Sequence, residues 1–386
     1  MGVTPSISVI IPMYNCEKYI EQCLGSIFAQ TFKDFEVIVA DDCSTDRSVA
    51  IVEKIIAARS TQGANNVRLL KLTENSGAAA IPRNHAMKFA CGKYITFVDA
   101  DDLIVNNALE ILFNNAEKFD ADVVHAERFF QPIGTGDQFN AQTKMGIGTW
   151  QEGGFVNKPT LETSDIGVRI IKFCQKHFFW SAWNKLFRRE FLIEHQIEFV
   201  NARAAEDLIL TSFCICLAKN YLRIPDIFYV YRQNPNSVTR SHTSFDKEVS
   251  KIVPPIAESI RSWNKYFNRI AIFKDHPEFR FMLINFFFQM QVINEGSLIY
   301  SKFPLHAFEK FIMQEFSKYD GKDAVVIMTY LFNIAAVNHR QFLQSQFKSA
   351  QLDINLRQSQ EKLAKLEAKL QKLKSLSEEL QTELQT

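Results

Sequence analysis

Short apolar runs alternate with longer segments of helical periodicity between residue 6 and about residue 125. The runs are SVIIP, FEVIVA, VRLLKL and YITFV, and the segments between them include CEKYIEQCLGSIFAQ and DRSVAIVEKIIAA. In the first of these segments Tyr19, Cys23 and Ile27 recur at the spacing of one helix face. The alternation predicts an α/β fold, in which a mostly parallel sheet is covered by helices on its faces.

The pattern changes after residue 125. Up to about residue 245 it is irregular, with a glycine-rich patch, the aromatic stretch FFWSAWNKLF and the acidic pair Glu206 and Asp207. Beyond Pro254 and Pro255 it is helical throughout. We therefore expect an α/β domain over residues 1–245, with halves 1–125 and 126–245, followed by a helical extension over 250–348.

Leucines at heptad spacing occupy the tail, residues 350–386. One seam consists of Leu356, Leu363, Leu370 and Leu384, and the other of Leu366, Leu373 and Leu380. Ser359 and Ser377 interrupt the pattern. The spacing predicts a short coiled coil, and hence a homo-oligomer held together by it. The alternative is a single helix that packs back on its own domain.

Composition narrows the class of protein. The 386-residue chain is 47% apolar, and its 44 Lys and Arg balance 43 Asp and Glu, so no field of one sign attracts nucleic acid. The seven cysteines are scattered and never spaced as CxxC, which argues against disulfides and thiolate metal sites. The start, MGVTPSISVIIP, lacks a signal-peptide pattern, and the apolar run near 281–293 is too short to span a bilayer. A cytoplasmic protein is expected.

Candidate ligand-binding residues, most of them polar or acidic, lie at the ends of three predicted strands. They are Pro12, Tyr14 and Asn15 at the first, Asp41 and Asp42 at the second, and Asp99, Ala100, Asp101 and Asp102 at the fourth. In open parallel sheets, ligands bind outside the carboxyl ends of the strands. Clustered carboxylates repel one another unless a cation compensates, and Mg²⁺ or Mn²⁺ does this most simply. We expect Asp99 and Asp101 to hold such an ion beside a diphosphate. The alternative roles are ordinary ones, with Asp41 and Asp42 closing a turn and Asp102 closing a turn or capping a helix.

These residues carry a resemblance to a known family. SVIIPMYNCEKYIEQCLGSIFAQTFKDFEVIVADDCSTDRS and ENSGAAAIPRNHAMKFACGKYITFVDADD resemble the nucleotide-sugar-binding half of family 2 glycosyltransferases with the GT-A fold. WNKLFRREFL, AAEDLIL and YRQNPNSVTRS extend the resemblance more loosely, so that it covers about residues 5–245. It implies a Rossmann-like sheet flanked by helices, with residues 1–125 as the nucleotide-sugar half and 126–245 as the acceptor-side half.

The resemblance also implies roles in binding the donor. Pro12, Tyr14 and Asp42 would hold uracil, with Asn15 and Asp41 beside them, and Asp99 and Ala100 would lie at the ribose. Arg83 would approach the nucleotide or its phosphates, although a surface position on a helix is equally open, and Pro82 replaces the usual alanine before it. The Mn²⁺ or Mg²⁺ ligands would be Asp101 and Asp99, with His242 as a further ligand or merely a surface residue.

The acceptor-side half would supply the catalytic base. Asp207, ahead of Glu206, is the candidate, and the alternative is a pair of acids that favours the start of a helix. Four further residues would face the acceptor, because aromatic rings stack on sugars and lysine pairs with phosphate, although core positions are an alternative: Trp180, Trp183, Asn184 and Lys185.

The function implied is an inverting, metal-dependent transfer of a sugar from a UDP-sugar to a hydroxyl of a glycan or lipid-linked glycan. The helix FRFMLINFFFQMQVI is then either part of a core or a surface, including Phe286 and Phe287, that docks a partner or the inner membrane face. A nucleotidyltransferase would need a glycine-rich loop after the first strand, and PMYNCEKYIEQ has no glycine. A non-catalytic scaffold that assembles partners through the coiled coil is the remaining alternative.

Overall fold

A computed structural model describes residues 4–63, 66–132, 144–201, 206–232, 259, 262–263, 266–288, 290, 356, 359–360, 362–364 and 366–367. The chain divides into two compact units, Met1–Asp323 and Ala324–Thr386. The first unit contains the α/β domain and the start of the helical extension.

Four strands of the first half pair in parallel, as the sequence predicts. They are β1 (Ile7–Met13), β2 (Phe35–Asp41), β3 (Val67–Lys71) and β4 (Tyr94–Phe97), in the order β3-β2-β1-β4. The helices between them are α1 (Ile20–Phe28), α2 (Ser48–Ser60) and α3 (Ala80–Met87). The chain moves outward to β3 and then returns to the other side of β1, so a crevice forms where the strand order reverses.

The second half completes an eight-stranded sheet that is mixed rather than mostly parallel throughout. Its strands are β6 (Val123–Ala126), β9 (Thr160–Leu161), β10 (Lys185–Arg188) and β11 (Tyr221–Ile224), and the order continues β4-β10-β6-β11-β9. β10 runs antiparallel to both β4 and β6, whereas β11 is parallel to β6. The reversed strand β10 joins the two halves of the domain edge to edge.

Residues 99–102, which follow β4, form a loop that we call the acidic loop. A smaller sheet begins directly after it. It consists of β5 (Leu103–Ile104), β7 (Phe129–Pro132), β8 (Met145–Gly148) and β12 (Tyr229–Val230), in the order β5-β12-β7-β8. Tyr229 pairs with Ile104 across β12 and β5. This pairing brings residues 229–232 beside the loop 99–102, and nothing in the sequence pattern predicts it.

The second half of the domain contributes four more helices, of which the first and third contact the main sheet and the second and fourth contact each other: α4 (Ala108–Lys118), α5 (Ile166–Cys174), α6 (Arg189–Glu194) and α7 (Glu206–Leu217). Every residue of α7 from Leu208 to Cys216 is buried. A helix buried on all sides holds its first residues rigidly, because packing fixes its position from every direction.

The described part of the helical extension includes α8 (Ile272–Asp275) and α9 (Pro277–Phe288), and residues 259, 262–263 and 266–267 before them are also helical. Phe286 and Phe287 of α9 are buried, with ring centroids 5.1 Å from Phe173 and 5.0 Å from Trp263 respectively. The core alternative is therefore right for these two residues, and a docking surface made of them is wrong. No helix within the described ranges is long and apolar enough to cross a membrane.

Few residues of the second unit are described. Those between residues 356 and 367 have helical backbone, and Leu356, Leu363 and Leu366 are exposed. Leu370, Leu373, Leu380 and Leu384 lie outside the described residues. The coiled coil stays a prediction.

Candidate functional site

The carboxyl ends of β1, β2 and β4 lie at one edge of the main sheet. Met13 is opposite Asp41, and Ile10 is opposite Phe97. Residues 14–15, 42 and 99–102 therefore leave neighbouring strands at the crevice where the strand order reverses. This is the edge at which the sequence places the candidate ligands.

Arg83 is the centre of a buried ionic cluster. It lies on α3 and is 3% exposed. Its Nη2 is 2.7 Å from Asp99 Oδ1, and its Nη1 is 2.9 Å from Asp207 Oδ1 and 3.3 Å from Glu206 Oε1. Asp99 follows β4 and the other two acids open α7, so one guanidinium links the two halves of the domain. The alternative of an exposed helix position for Arg83 is wrong.

One positive charge faces three carboxylates in this cluster. Burial, and then the charge of Asp207, raise the pKa of Glu206 to about 7, although Arg83 opposes the change. Burial also raises the pKa of Asp207, against the lowering effects of Arg83 and the Ala182 N–H. Both carboxyls of the pair therefore hold a proton more readily than exposed carboxyls do, which is the direction of pKa change that suits a general base.

The second carboxylate oxygen of Asp207 is held by the other half of the domain. Ala182 N donates to Asp207 Oδ2 at 3.0 Å. Ala182 lies in the loop between α5 and β10, and Thr211 Oγ1 of α7 donates to Trp180 O of the same loop at 2.6 Å. Asp207 is consequently oriented through both oxygens, one by Arg83 and one by this loop.

Asp102 anchors the acidic loop, a role that sequence reasoning reduced to a cap or a turn. It is 1% exposed and accepts hydrogen bonds from Tyr229 Oη at 2.9 Å and from Arg232 N at 2.6 Å. Tyr229 Oη in turn accepts from Asp99 N at 3.1 Å. Burial, followed by the charges of Asp101 and Asp99, raises the pKa of Asp102. Tyr229 is 127 positions away in sequence, so no local signal could reveal the contact.

Asp41 and Asp42 shape the crevice from the side of β2. Asp41 is 3% exposed and accepts from Ser44 N, which closes a turn. Asp42 is 4% exposed and accepts from Ser76 N at 2.9 Å and from Ser76 Oγ at 3.0 Å. Both carboxylates therefore already have partners in the protein, and the turn alternative holds for Asp41.

The other residues that the sequence places at the nucleotide divide into exposed and buried or structural ones. Tyr14 is 46% exposed, so its ring is available to a planar ligand. Asn15 has φ of 51°, and its Oδ1 accepts from Thr45 N at 2.8 Å, so its side chain ties two loops together. Pro12 and Ala100 are buried.

The acidic loop is the part of the site that fits a metal. Within the described ranges, no group of three or more His, Cys, Asp or Glu side chains could hold an ion. Mg²⁺, however, typically takes one or two carboxylates and fills its other positions with water and substrate phosphates. Asp99 and Asp101 are half-buried at the crevice and offer only oxygen atoms, which suits a hard cation. His242 lies outside the described residues.

An aromatic cluster lies at the loop that contacts Asp207. Trp183 is 3% exposed and stacks on Tyr229, with ring centroids 4.2 Å apart, so it is a core residue. Trp150, which the sequence did not single out, is 41% exposed and lies nearly parallel to Trp180 with centroids 6.2 Å apart. Gly148 and Thr149, which precede Trp150, form no sequence pattern that would predict the position of Trp150 beside Trp180.

Asn184 and Lys185 lie inside the domain rather than on the surface of the crevice. Both are fully buried, and Asn184 Nδ2 donates to Ala126 O at 2.6 Å. Lys185 Nζ binds backbone carbonyls of its own loop. The polar groups of both side chains are thus hydrogen-bonded within the protein.

Comparison with known proteins decides the family. The family model of glycosyl transferase family 2 matches residues 8–195. Glycosyltransferase GlyG of Streptococcus pneumoniae is 30% identical over 248 residues, which cover 62% of this chain and 74% of GlyG. The chain belongs to glycosyltransferase family 2. The ionic cluster and the acidic loop are therefore the candidate active site of a family 2 glycosyltransferase.

A second relative and a solved structure are also similar to this chain. The poly(ribitol-phosphate) beta-glucosyltransferase of Bacillus spizizenii is 32% identical over 228 residues, or 58% of this chain and 32% of the relative. The structure of Staphylococcus aureus TarS 1–349 in complex with UDP-GlcNAc has a TM-score of 0.57 and 25% identity, and the match covers 78% of this chain and 77% of TarS 1–349. The GT-A-like fold is thus confirmed, while several relatives extend well beyond the length that this chain spans.

Proposed function

We propose that this family 2 glycosyltransferase moves a sugar from a UDP-sugar to a hydroxyl of a glycan or lipid-linked glycan, with inversion at the anomeric carbon. The observation that carries the proposal is the contact of Arg83 with both Asp99 and Asp207, which joins the acidic loop to a carboxyl suited to act as base. The similarity to TarS in complex with UDP-GlcNAc supports the donor class. The poly(ribitol-phosphate) glucosyltransferase relative supports a polymeric cell-wall acceptor.

In this mechanism Asp207 takes the proton of the acceptor hydroxyl. The hydroxyl oxygen forms a bond to the anomeric carbon on the face opposite the UDP group, and the bond from that carbon to the diphosphate oxygen breaks. Arg83 and the Ala182 N–H hold the carboxylate in one orientation, which reduces the entropy lost on reaching the transition state. Glu206 shares the charge of Arg83 beside it.

Asp101 and Asp99 are the residues that would hold Mn²⁺ or Mg²⁺. Such an ion supplies charge neutralisation to the departing diphosphate. Tyr14, with its exposed ring, would stack on uracil at the crevice, while Pro12 forms the buried floor of β1. Asn15, Asp41 and Asp42 would shape this pocket through their side-chain hydrogen bonds to neighbouring loops, and the buried Ala100 would lie at the ribose.

Trp180 and Trp150 would form the acceptor side of the site. Their nearly parallel rings lie beside the loop that contacts Asp207, and such faces suit the apolar faces of sugars. We place the reaction in the cytoplasm or at the inner membrane face, and all seven cysteines are free thiols, as a reducing compartment requires.

The test is release of UDP from a panel of UDP-glucose, UDP-galactose and UDP-GlcNAc, with and without Mn²⁺, in the presence and absence of ribitol-phosphate polymer. Metal-dependent release that Asp207→Asn suppresses supports the proposal. No release from any donor, together with no binding of UDP in calorimetry, would favour the scaffold alternative. Formation of pyrophosphate from UTP and a sugar phosphate would instead indicate a nucleotidyltransferase.

A further inference from the structure

Lys185 is a buried lysine whose ammonium group is fully enclosed by its own loop. It begins β10, lies between β4 and β6 in the middle of the main sheet, and is 0% exposed. Its Nζ donates to Phe179 O at 2.6 Å, to Ser181 O at 2.6 Å and to Asn184 Oδ1 at 2.9 Å. The three N–H groups of a lysine ammonium thus have three acceptors, all within residues 179–184.

This loop of residues 179–184 is also the element that contacts Asp207. Ala182 N, which is in the same peptide group as the Ser181 carbonyl that Lys185 binds, donates to Asp207 Oδ2. One residue earlier than Ser181, Trp180 O accepts from Thr211 Oγ1 of α7. Because the loop has no regular secondary structure, its backbone direction is set by these contacts rather than by a hydrogen-bond ladder.

Burying the Lys185 ammonium costs free energy of desolvation, which its hydrogen bonds to the surrounding loop must offset. Burial lowers the pKa of Lys185 to about 7, although the charge of Asp207 opposes the change. Without the ammonium, two buried carbonyl oxygens that point at one spot would be left without a donor and would move apart. The Ala182 N–H belongs to the same planar peptide group as the Ser181 carbonyl and would move with it.

We propose that Lys185 is a positioning residue for the base of the transfer reaction. Its hydrogen bonds hold the backbone of loop 179–184 in the conformation in which the Ala182 N–H donates to one oxygen of the Asp207 carboxylate. The inference rests on the proposed function, in which Asp207 is the base. It gives Lys185 a role within the protein, in place of the phosphate contact that the sequence implied. Lys185 acts without touching the substrate.

The proposal predicts a change in the pH dependence of catalysis. The groups that face Asp207 are Arg83, Glu206, Asp99 and the Ala182 N–H, and those near Lys185 besides Asp207 are Cys214 of α7 and His125 of β6. The Ala182 N–H and the charge of Lys185 both lower the pKa of Asp207. Losing them raises this pKa, so the acid limb of the rate profile moves to higher pH.

The experiment measures metal-dependent UDP release from the best UDP-sugar of the panel, with water as acceptor, from pH 5 to pH 9. Lys185→Met should lower kcat at pH 7 by about 10-fold or more, on the scale of a misoriented base, and move the acid limb upward by about one pH unit. The KM for the UDP-sugar should change by less than about 3-fold, because Lys185 touches no donor-binding residue. Thr211→Val removes a loop contact without changing charge, and it should move kcat in the same direction by a smaller amount.

Arg169→Met is the matched control. Arg169 is a buried cation that also binds backbone carbonyls, those of Thr163, Ile215, Ala218 and Lys219, but at the far end of α7. It should lower the unfolding temperature as Lys185→Met does and leave the pH profile at the wild-type position.

The activity of the folded Lys185 variant tests the positioning role separately from the proposed function. If folded Lys185→Met keeps the wild-type pH profile and kcat, the positioning role is wrong, while the proposed function stands as long as Asp207→Asn is inactive. If Lys185→Met does not fold, an unchanged kcat in Thr211→Val overturns the positioning role and a reduced kcat supports it. A wild-type enzyme that releases no UDP from any donor refutes the proposed function and this inference together.

Discussion

Arg83 Nη1 lies 2.9 Å from Asp207 Oδ1, and this ion pair crosses from α3 in the first half of the α/β domain to α7 in the second half. Replacing Arg83 by Met leaves three carboxylates together without their cation. We expect a loss of about 3–5 kcal/mol in the free energy of unfolding, as is typical when one partner of a buried ion pair is removed. Chemical denaturation measures it, with Arg47→Met as the control. Arg47 pairs with Glu17 at the surface, and its loss should change the free energy of unfolding much less, because exposed ion pairs contribute little.

Asp207→Asn tests the base directly. The amide keeps an oxygen that can accept from Arg83 or Ala182 but cannot take a proton, so transfer should fall by about 10²-fold or more. The Kd for UDP with Mn²⁺, measured by calorimetry, should stay within a few-fold of wild type. A collapse of UDP affinity would show instead that Asp207 mainly maintains the structure of the site.

Glu206 should make stability depend on pH. Its pKa is raised from 4.5 to about 7, so the folded state favours the protonated form. This contribution to stability is present below pH 4.5 and is lost as the pH rises through 7, a change on the order of 3 kcal/mol. In Glu206→Gln the decline in the urea midpoint between pH 5 and pH 8 should be smaller than in wild type. Glu53→Gln, at an exposed pair with Lys71, is the control, and an equal change in both variants would contradict the prediction.

Tyr229→Phe tests the anchor of the acidic loop. It removes the hydroxyl that donates to Asp102 and accepts from Asp99 N, which leaves buried polar groups without a partner at a cost of about 1–3 kcal/mol. We expect weaker binding of UDP with Mn²⁺ in calorimetry, because Asp99 and Asp101 belong to the same loop. Tyr94→Phe removes a hydroxyl bonded to Glu117 and should leave this binding unchanged.

Asp101→Ala tests the metal assignment. The variant should lose metal-dependent UDP release, and the heat of UDP binding should no longer depend on added Mn²⁺, because one of two proposed carboxylate ligands is gone. Full metal-dependent activity in this variant would refute the assignment of Asp101. Glu110→Ala, which removes a carboxylate bonded to Thr31 at the surface, serves as the control.

By itself, the sequence determined the parallel arrangement of β1 to β4 and the edge at which the acidic residues gather. Local patterns suffice for this, since apolar runs alternate with helical segments and the carboxyl ends of parallel strands lie together. The family resemblance then pointed to Asp99, Asp101, Glu206 and Asp207 as a group. Which of these touch one another was beyond any local pattern.

The tertiary structure alone decided the direction of β10, the burial of Lys185 and Trp183, and the partners of Arg83 and Asp102. A short apolar strand has the same residue pattern in either direction, and a lysine or tryptophan next to a strand can be exposed or enclosed. Arg83 meets Asp207 across 124 positions and Asp102 meets Tyr229 across 127. Such contacts depend on how whole elements pack, because charge and hydrogen-bonding capacity at one position do not specify the distant group that satisfies them.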